Sequence, residues 1–181
     1  MARPFSRSRP RRRAGWTLLE LVVVVCLVAT FAAVLLDRVL RYQELAEKVA
    51  MEATLGSLRS ALTLQASARI LRGRMEAVAE LADENPMDWL ADRPSGYVGV
   101  RRPGFGSPVT GGSWYFDPGA KELAYRPQRT RYLTPGPDGS DELRFKVVVR
   151  IGASPGNAPA AEISELGVRA LPGAQWTPEF H

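Results

Sequence analysis

Apolar and polar positions divide this chain into three stretches with different grammar. From Trp16 to Leu36 apolar residues run through 21 positions with Glu20 as the only charge. As a helix rising about 1.5 Å per residue, such a run spans roughly 30 Å, the depth of a bilayer's hydrocarbon core. From Asp37 the chain turns polar, but Gly56 is the only glycine before Arg72 and there is no proline. Leu45, Val49, Leu55, Leu58 and Leu62 recur at intervals of three, four and six, mostly on one face. The pattern predicts an amphipathic extension of the first helix to about Arg72, roughly 85 Å in all. Gly56 sits inside it, where glycine costs about 1 kcal/mol relative to alanine. Gly73 ends or kinks this stem, and "MEAVAELADENPMDWL" predicts a second short helix with Met75, Val78 and Leu81 inward, stopped by Asn85 and Pro86.

Past residue 90 the period shortens and glycine and proline become frequent. "SGYVGVRR", "GSWYFD" and "ELAYRP" read as strands, the last two joined through the turn "DPGAK" into a hairpin from about Ser113 to Arg126. In "ELRFKVVVRI", Leu143, Phe145, Val147, Val149 and Ile151 alternate with Arg144, Lys146, Val148 and Arg150, which predicts one core face and one solvated face. "GASPGNAPAAE" reads as a loop and "ISELGVRAL" as an edge strand. The expected fold is α+β: a long amino-terminal helix whose first half spans a membrane and whose second half packs on a small antiparallel sheet.

Excess charge is concentrated at the start of the chain. The formal net charge is +5, but residues 1–15 hold six arginines and no acid, so residues 16–181 carry 18 basic and 19 acidic groups. Basic residues beside an apolar run set the orientation of a membrane segment, and a net charge of −1 over the remainder argues against a nucleic-acid partner. A local patch around Arg126, Arg129 and Arg131 is the exception to that reading. Cys26 is the single cysteine, so no intrachain disulfide can form.

An ordinary secretory signal has a shorter apolar centre followed by a small-x-small cleavage site, whereas the best such site here, "ATFA" at 29–32, lies inside the run. Neither a signal peptide nor a plain signal anchor explains Glu20. A carboxylate at mid-membrane costs on the order of 2.5–3.5 kcal/mol, softened near a helix start by the positive end of the macrodipole. A chain cut after Gly15 would also supply the new α-amino group of Trp16 as a partner for Glu20.

The leader arginines, "AG", and then "WTLLELVVVV" resemble the processing site of type IV prepilins and type II secretion pseudopilins. The resemblance implies cleavage after Gly15 by a membrane prepilin peptidase, N-methylation of Trp16, and a role in assembly for Thr17 and Glu20. There Glu20 pairs with the amino terminus of a neighbouring subunit in a helical filament, or with its own. Trp16 stands where phenylalanine or methionine is more usual, and Asp37 ends the run where many major pilins continue. The implied organisation is a cleaved leader at 1–15, a transmembrane and filament-core helix at 16–36, stem and second helix at 37–89, and a periplasmic sheet region at 90–181. The implied partners are the prepilin peptidase, other pilin or pseudopilin subunits and inner-membrane lipid, with the carboxy-terminal domain in the periplasm.

No enzyme is expected from these residues. The only histidine is His181, so Ser-His-Asp and Cys-His sites lack a base and no zinc ligand set can be assembled. "RRPGFGSPVTGG" at 101–112 lacks the Gly-Lys-Ser/Thr ending of a phosphate loop. "PDGSDE" brings Asp138, Asp141 and Glu142 close in sequence; a solvated turn is the default, and the resemblance to major pseudopilins offers calcium, which wants six to eight oxygens, as the alternative. No other cofactor is implied. The rival functions are a signal-anchored periplasmic enzyme or binding module, and a minor pilin of DNA uptake.

Overall fold

The computed structural model describes residues 17–102, 108–153 and 161–177. The leader, Gly15 and Trp16 lie outside the described residues. The described chain is α+β, with helix α1 (Leu18–Leu71), two 3-10 helices η1 (Glu76–Ala82) and η2 (Pro86–Trp89), and seven strands. These are β1 (Tyr97–Val100), β2 (Ser113–Asp117), β3 (Glu122–Arg126), β4 (Leu133–Thr134), β5 (Leu143–Ala153), β6 (Ala161–Ala170) and β7 (Gln175–Trp176). The chain divides into two compact units between Arg41 and Tyr42.

α1 runs 54 residues without a break, Gly56 included. In the second unit its inward stripe is Glu44, Met51, Leu55, Leu58, Leu62 and Ala66, spaced by three, four or seven as one helical face requires. Leu58 is 0% exposed. The expected stripe was correct at Leu55, Leu58 and Leu62 but not at Val49, which is 56% exposed, because the buried face enters the helix through Glu44 and Met51 instead.

A five-stranded sheet in the order β1-β2-β3-β5-β6 covers that stripe. The hairpin is where the sequence puts it, Ser113 pairing with Arg126 and Asp117 with Glu122. Its turn is closed by Asp117 Oδ1, which accepts from the Gly119 amide at 2.9 Å. Trp114 lies 4.6 Å from Tyr125 and 5.8 Å from Phe145, ring centre to ring centre, at the middle of the core. On β5 Leu143, Phe145 and Val147 are buried, as the alternation predicts. The opposite face is closed by ion pairs, Arg144 to Glu122 and Glu142 and Arg150 to Glu165.

Three expectations need correction. The second helix is instead two 3-10 turns: Val78 and Leu81 are fully buried as expected, with Met75 packed beside them, but Asn85 and Pro86 begin η2. The Asn85 side chain accepts from the Met87 amide and Pro86 occupies the first turn, where its missing N–H costs nothing. β1 joins β2 in parallel, so the sheet is mostly and not wholly antiparallel. That approach depends on Gly96, where an added Cβ would stand 2.4 Å from the Gly112 carbonyl oxygen. The edge strand starts at Ala161 and β5 reaches Ala153, so both take residues from the expected loop.

The burial map separates Leu58 from Val49. Leu58→Ala should cost about 2–5 kcal/mol in denaturant unfolding of the full chain and Val49→Ala under about 0.5 kcal/mol. Equal losses at the two positions would contradict the assigned core face.

Candidate functional site: the capped apolar helix and the clamp on its second half

In the first unit the helix begins at a cap. Thr17 Oγ1 accepts from the Glu20 amide at 3.2 Å, and the Thr17 carbonyl accepts from the Leu21 amide at 3.1 Å. Threonine at the cap and glutamate three residues on is the capping-box pattern, and it puts a carboxylate at the positive end of the macrodipole. Thr17 and Glu20 therefore act together at the helix start, a local role beside the assembly role that the resemblance implies.

Beyond the cap, apolar side chains point outward all round the helix. Leu18 is 81% and Phe31 68% exposed, and Val22, Val25, Val28, Val34 and Leu36 are exposed as well. α1 is long and apolar enough to cross a membrane. The Thr30 hydroxyl donates to the Cys26 carbonyl at 2.8 Å, so its polar atom is satisfied within the helix. At Asp37 the character changes, and Asp37 pairs with Arg41 one turn on at 3.8 Å.

In the second unit two glutamates fix α1 to the segment after β3. Glu44, 1% exposed, accepts the Tyr132 amide at 3.0 Å. Glu47 Oε1 accepts both the Tyr125 hydroxyl at 2.8 Å and the Gln128 amide at 2.6 Å. Burial, and then the Glu47 carboxylate, push the Tyr125 phenol well above its ordinary value. At the other end of the stem Arg69 donates to the Ala77 carbonyl at 2.5 Å and to Glu84 at 2.6 Å, while Glu84 also accepts from the Trp89 indole at 3.0 Å. The contacts of Glu44 and Glu47 are not readable from local sequence, because their partners are 78 to 88 positions away.

The acidic turn is a self-contained structure. Asp138 Oδ1 accepts from the Ser140 amide at 3.1 Å, and Gly139 adopts φ +71°. Glu142 faces the sheet, accepting the Tyr115 hydroxyl at 2.6 Å and pairing with Arg144 at 3.3 Å. Burial and the Glu142 carboxylate raise the Tyr115 phenol. Among the described residues no three His, Cys, Asp or Glu side chains are grouped to hold a metal ion. Compared with protein-family models, with curated proteins and with solved structures, the chain matches none.

The clamp makes stability sensitive to alkali. A phenol held protonated in the fold contributes stability that is fully present below its unfolded value near 10 and declines as pH rises above it. Unfolding free energy should therefore fall above about pH 10, less steeply in Tyr125→Phe; identical slopes would remove Tyr125 from the account. Glu47→Leu, which leaves the buried Tyr125 hydroxyl without its acceptor, should cost about 1–3 kcal/mol, the exposed Gln128 amide turning to water instead.

Proposed function

We propose that this chain is a pilin-like structural subunit, cleaved after Gly15 by a prepilin peptidase, methylated on Trp16, held in the inner membrane and then drawn into a type II secretion pseudopilus or type IV pilus. The observation that carries the reading is one helix with two surfaces. Residues 18–36 expose apolar side chains around the whole circumference, directly after a Thr17–Glu20 cap. Residues 44–66 of the same helix carry an α+β domain on one face. A membrane anchor alone needs no acid in its first turn; a subunit that exchanges lipid for neighbouring helices needs a group that fixes register, and Glu20 is the charge available for it.

Lipid gives helices little hydrophobic reason to stay apart or to associate, so exchange between bilayer and filament core is energetically accessible and a single buried polar pairing can direct it. The function is assembly and not catalysis, and no cofactor takes part. The domain stands in the periplasm, on the side away from the leader arginines.

Co-expression with the assembly machinery tests this. Glu20→Ala should leave removal of the leader intact while incorporation into filaments falls severalfold. Undiminished incorporation of Glu20→Ala beside wild-type subunits would refute the assembly role. Gly15→Arg should block processing and leave the full-length chain in the membrane.

A further inference from the structure

The second unit carries its charge in two separated blocks. Residues 75–92 contain six acids (Glu76, Glu80, Asp83, Glu84, Asp88 and Asp92) and no base. Residues 123–137 contain three arginines (Arg126, Arg129 and Arg131) and no acid. Each block is fastened to a different level of α1. The acidic block is held at Arg69, through the Ala77 carbonyl and Glu84. The basic block is held at Glu47 and Glu44, through the amides of Gln128 and Tyr132. Twenty-two residues of helix separate Glu47 from Arg69, about 33 Å at the α-helical rise. The domain thus has a basic segment and an acidic segment, the latter flanked by Arg72, Arg74 and Arg93.

Internal ion pairs answer only part of the acidic block. Glu84 meets Arg69, Asp83 meets Lys121 and Asp88 meets Arg93. Glu76 and Glu80 are exposed on η1 and form no ion pair among the described residues; nor do the exposed Arg126 and the half-buried Arg129. Each domain is left with anions on one segment and cations on the other. Glu76 and Glu80 sit by the Arg69 level of α1 and Arg126 and Arg129 by the Glu47 level, and no ion pair joins the two groups within the described chain, but they match between two copies.

We propose that the domains of two copies associate head to tail, the Arg126–Arg131 segment of one against the η1 surface, Glu76 and Glu80, of the next. The contact joins two different patches and does not close on itself, so it generates an open helical row. It rests on the filament reading and names the surface that orients neighbouring domains there. Exposed charge pairs add little affinity but fix orientation and speed encounter, which suits a contact that supplements the apolar helices.

The test uses the full chain in membranes, with cysteines at Ala79 and Gln128 in a Cys26→Ser background. A disulfide needs Cα atoms within about 7 Å, so any bond between these positions joins two copies. An intermolecular 79–128 cross-link should form, and its yield should fall at least about fivefold in Arg126→Glu/Arg129→Glu or in Glu76→Arg/Glu80→Arg. It should recover when all four changes are combined, and weaken as salt rises from about 50 to 500 mM. A parallel chain keeping only Cys26 reports helix contact. Cys26 cross-links with no 79–128 bond, or a 79–128 bond indifferent to charge reversal, would overturn the head-to-tail contact and leave the filament reading standing. Loss of both cross-links would overturn the two together.

Discussion

Everything in this molecule turns on the surface of α1 between Leu18 and Leu36, where large apolar side chains face outward on every side. Burying each such side chain is worth about 1.5–3 kcal/mol, so no arrangement in water leaves this run exposed. The helix is long and apolar enough to cross a membrane. Within the run the polar atoms are accounted for locally: the Thr30 hydroxyl returns to the Cys26 carbonyl and Thr17 caps the first turn. Glu20 is the one charge in the run, which a hydrocarbon surrounding would penalise, and the macrodipole at a helix start is the feature of the fold that would offset it.

The second unit meets a different demand, to hold one helical face against a sheet while the rest of α1 remains available. Apolar burial at Leu55, Leu58 and Leu62 supplies the adhesion. Position along the helix is set by charged groups: Glu44 and Glu47 receive the amides of Tyr132 and Gln128 at one level, and Arg69 grips η1 and Glu84 at another. Because charge-assisted hydrogen bonds are directional, they fix axial register where leucine packing alone would tolerate a slip of one turn. The same anchors keep the basic segment and the acidic η1 surface apart.

Much of this was legible in the sequence because it obeys local periods. The uninterrupted helix follows from the absence of proline, the β2–β3 hairpin from "DPGAK", and the buried face of β5 from alternation through Leu143, Phe145 and Val147. Features made by distant contacts were hidden. A glutamate on a stem helix reads as solvent-facing, and only the fold brings Tyr125 and Tyr132 to Glu47 and Glu44; for the same reason Val49 drew a place in the core that belongs to Met51. The parallel pairing of β1 turns on a close approach at Gly96 that a four-residue strand does not announce. Asp138, Asp141 and Glu142 read as one acidic cluster, whereas Glu142 is spent on Tyr115 and Arg144. The capping box stood in plain view in "TLLE", folded into the resemblance to a processing site, and the structure gives those residues a second, local role.

The central claim is that the apolar helix begins, in the working protein, at a new amino terminus beside Glu20. Intact mass with amino-terminal sequencing, on full-length protein produced with and without a prepilin peptidase, tests it most directly. The account predicts a chain that begins at Trp16 and carries one added methyl group, formed only when the peptidase is present. A chain that retains Met1 in its presence, or one cut beyond Ala32, would contradict it.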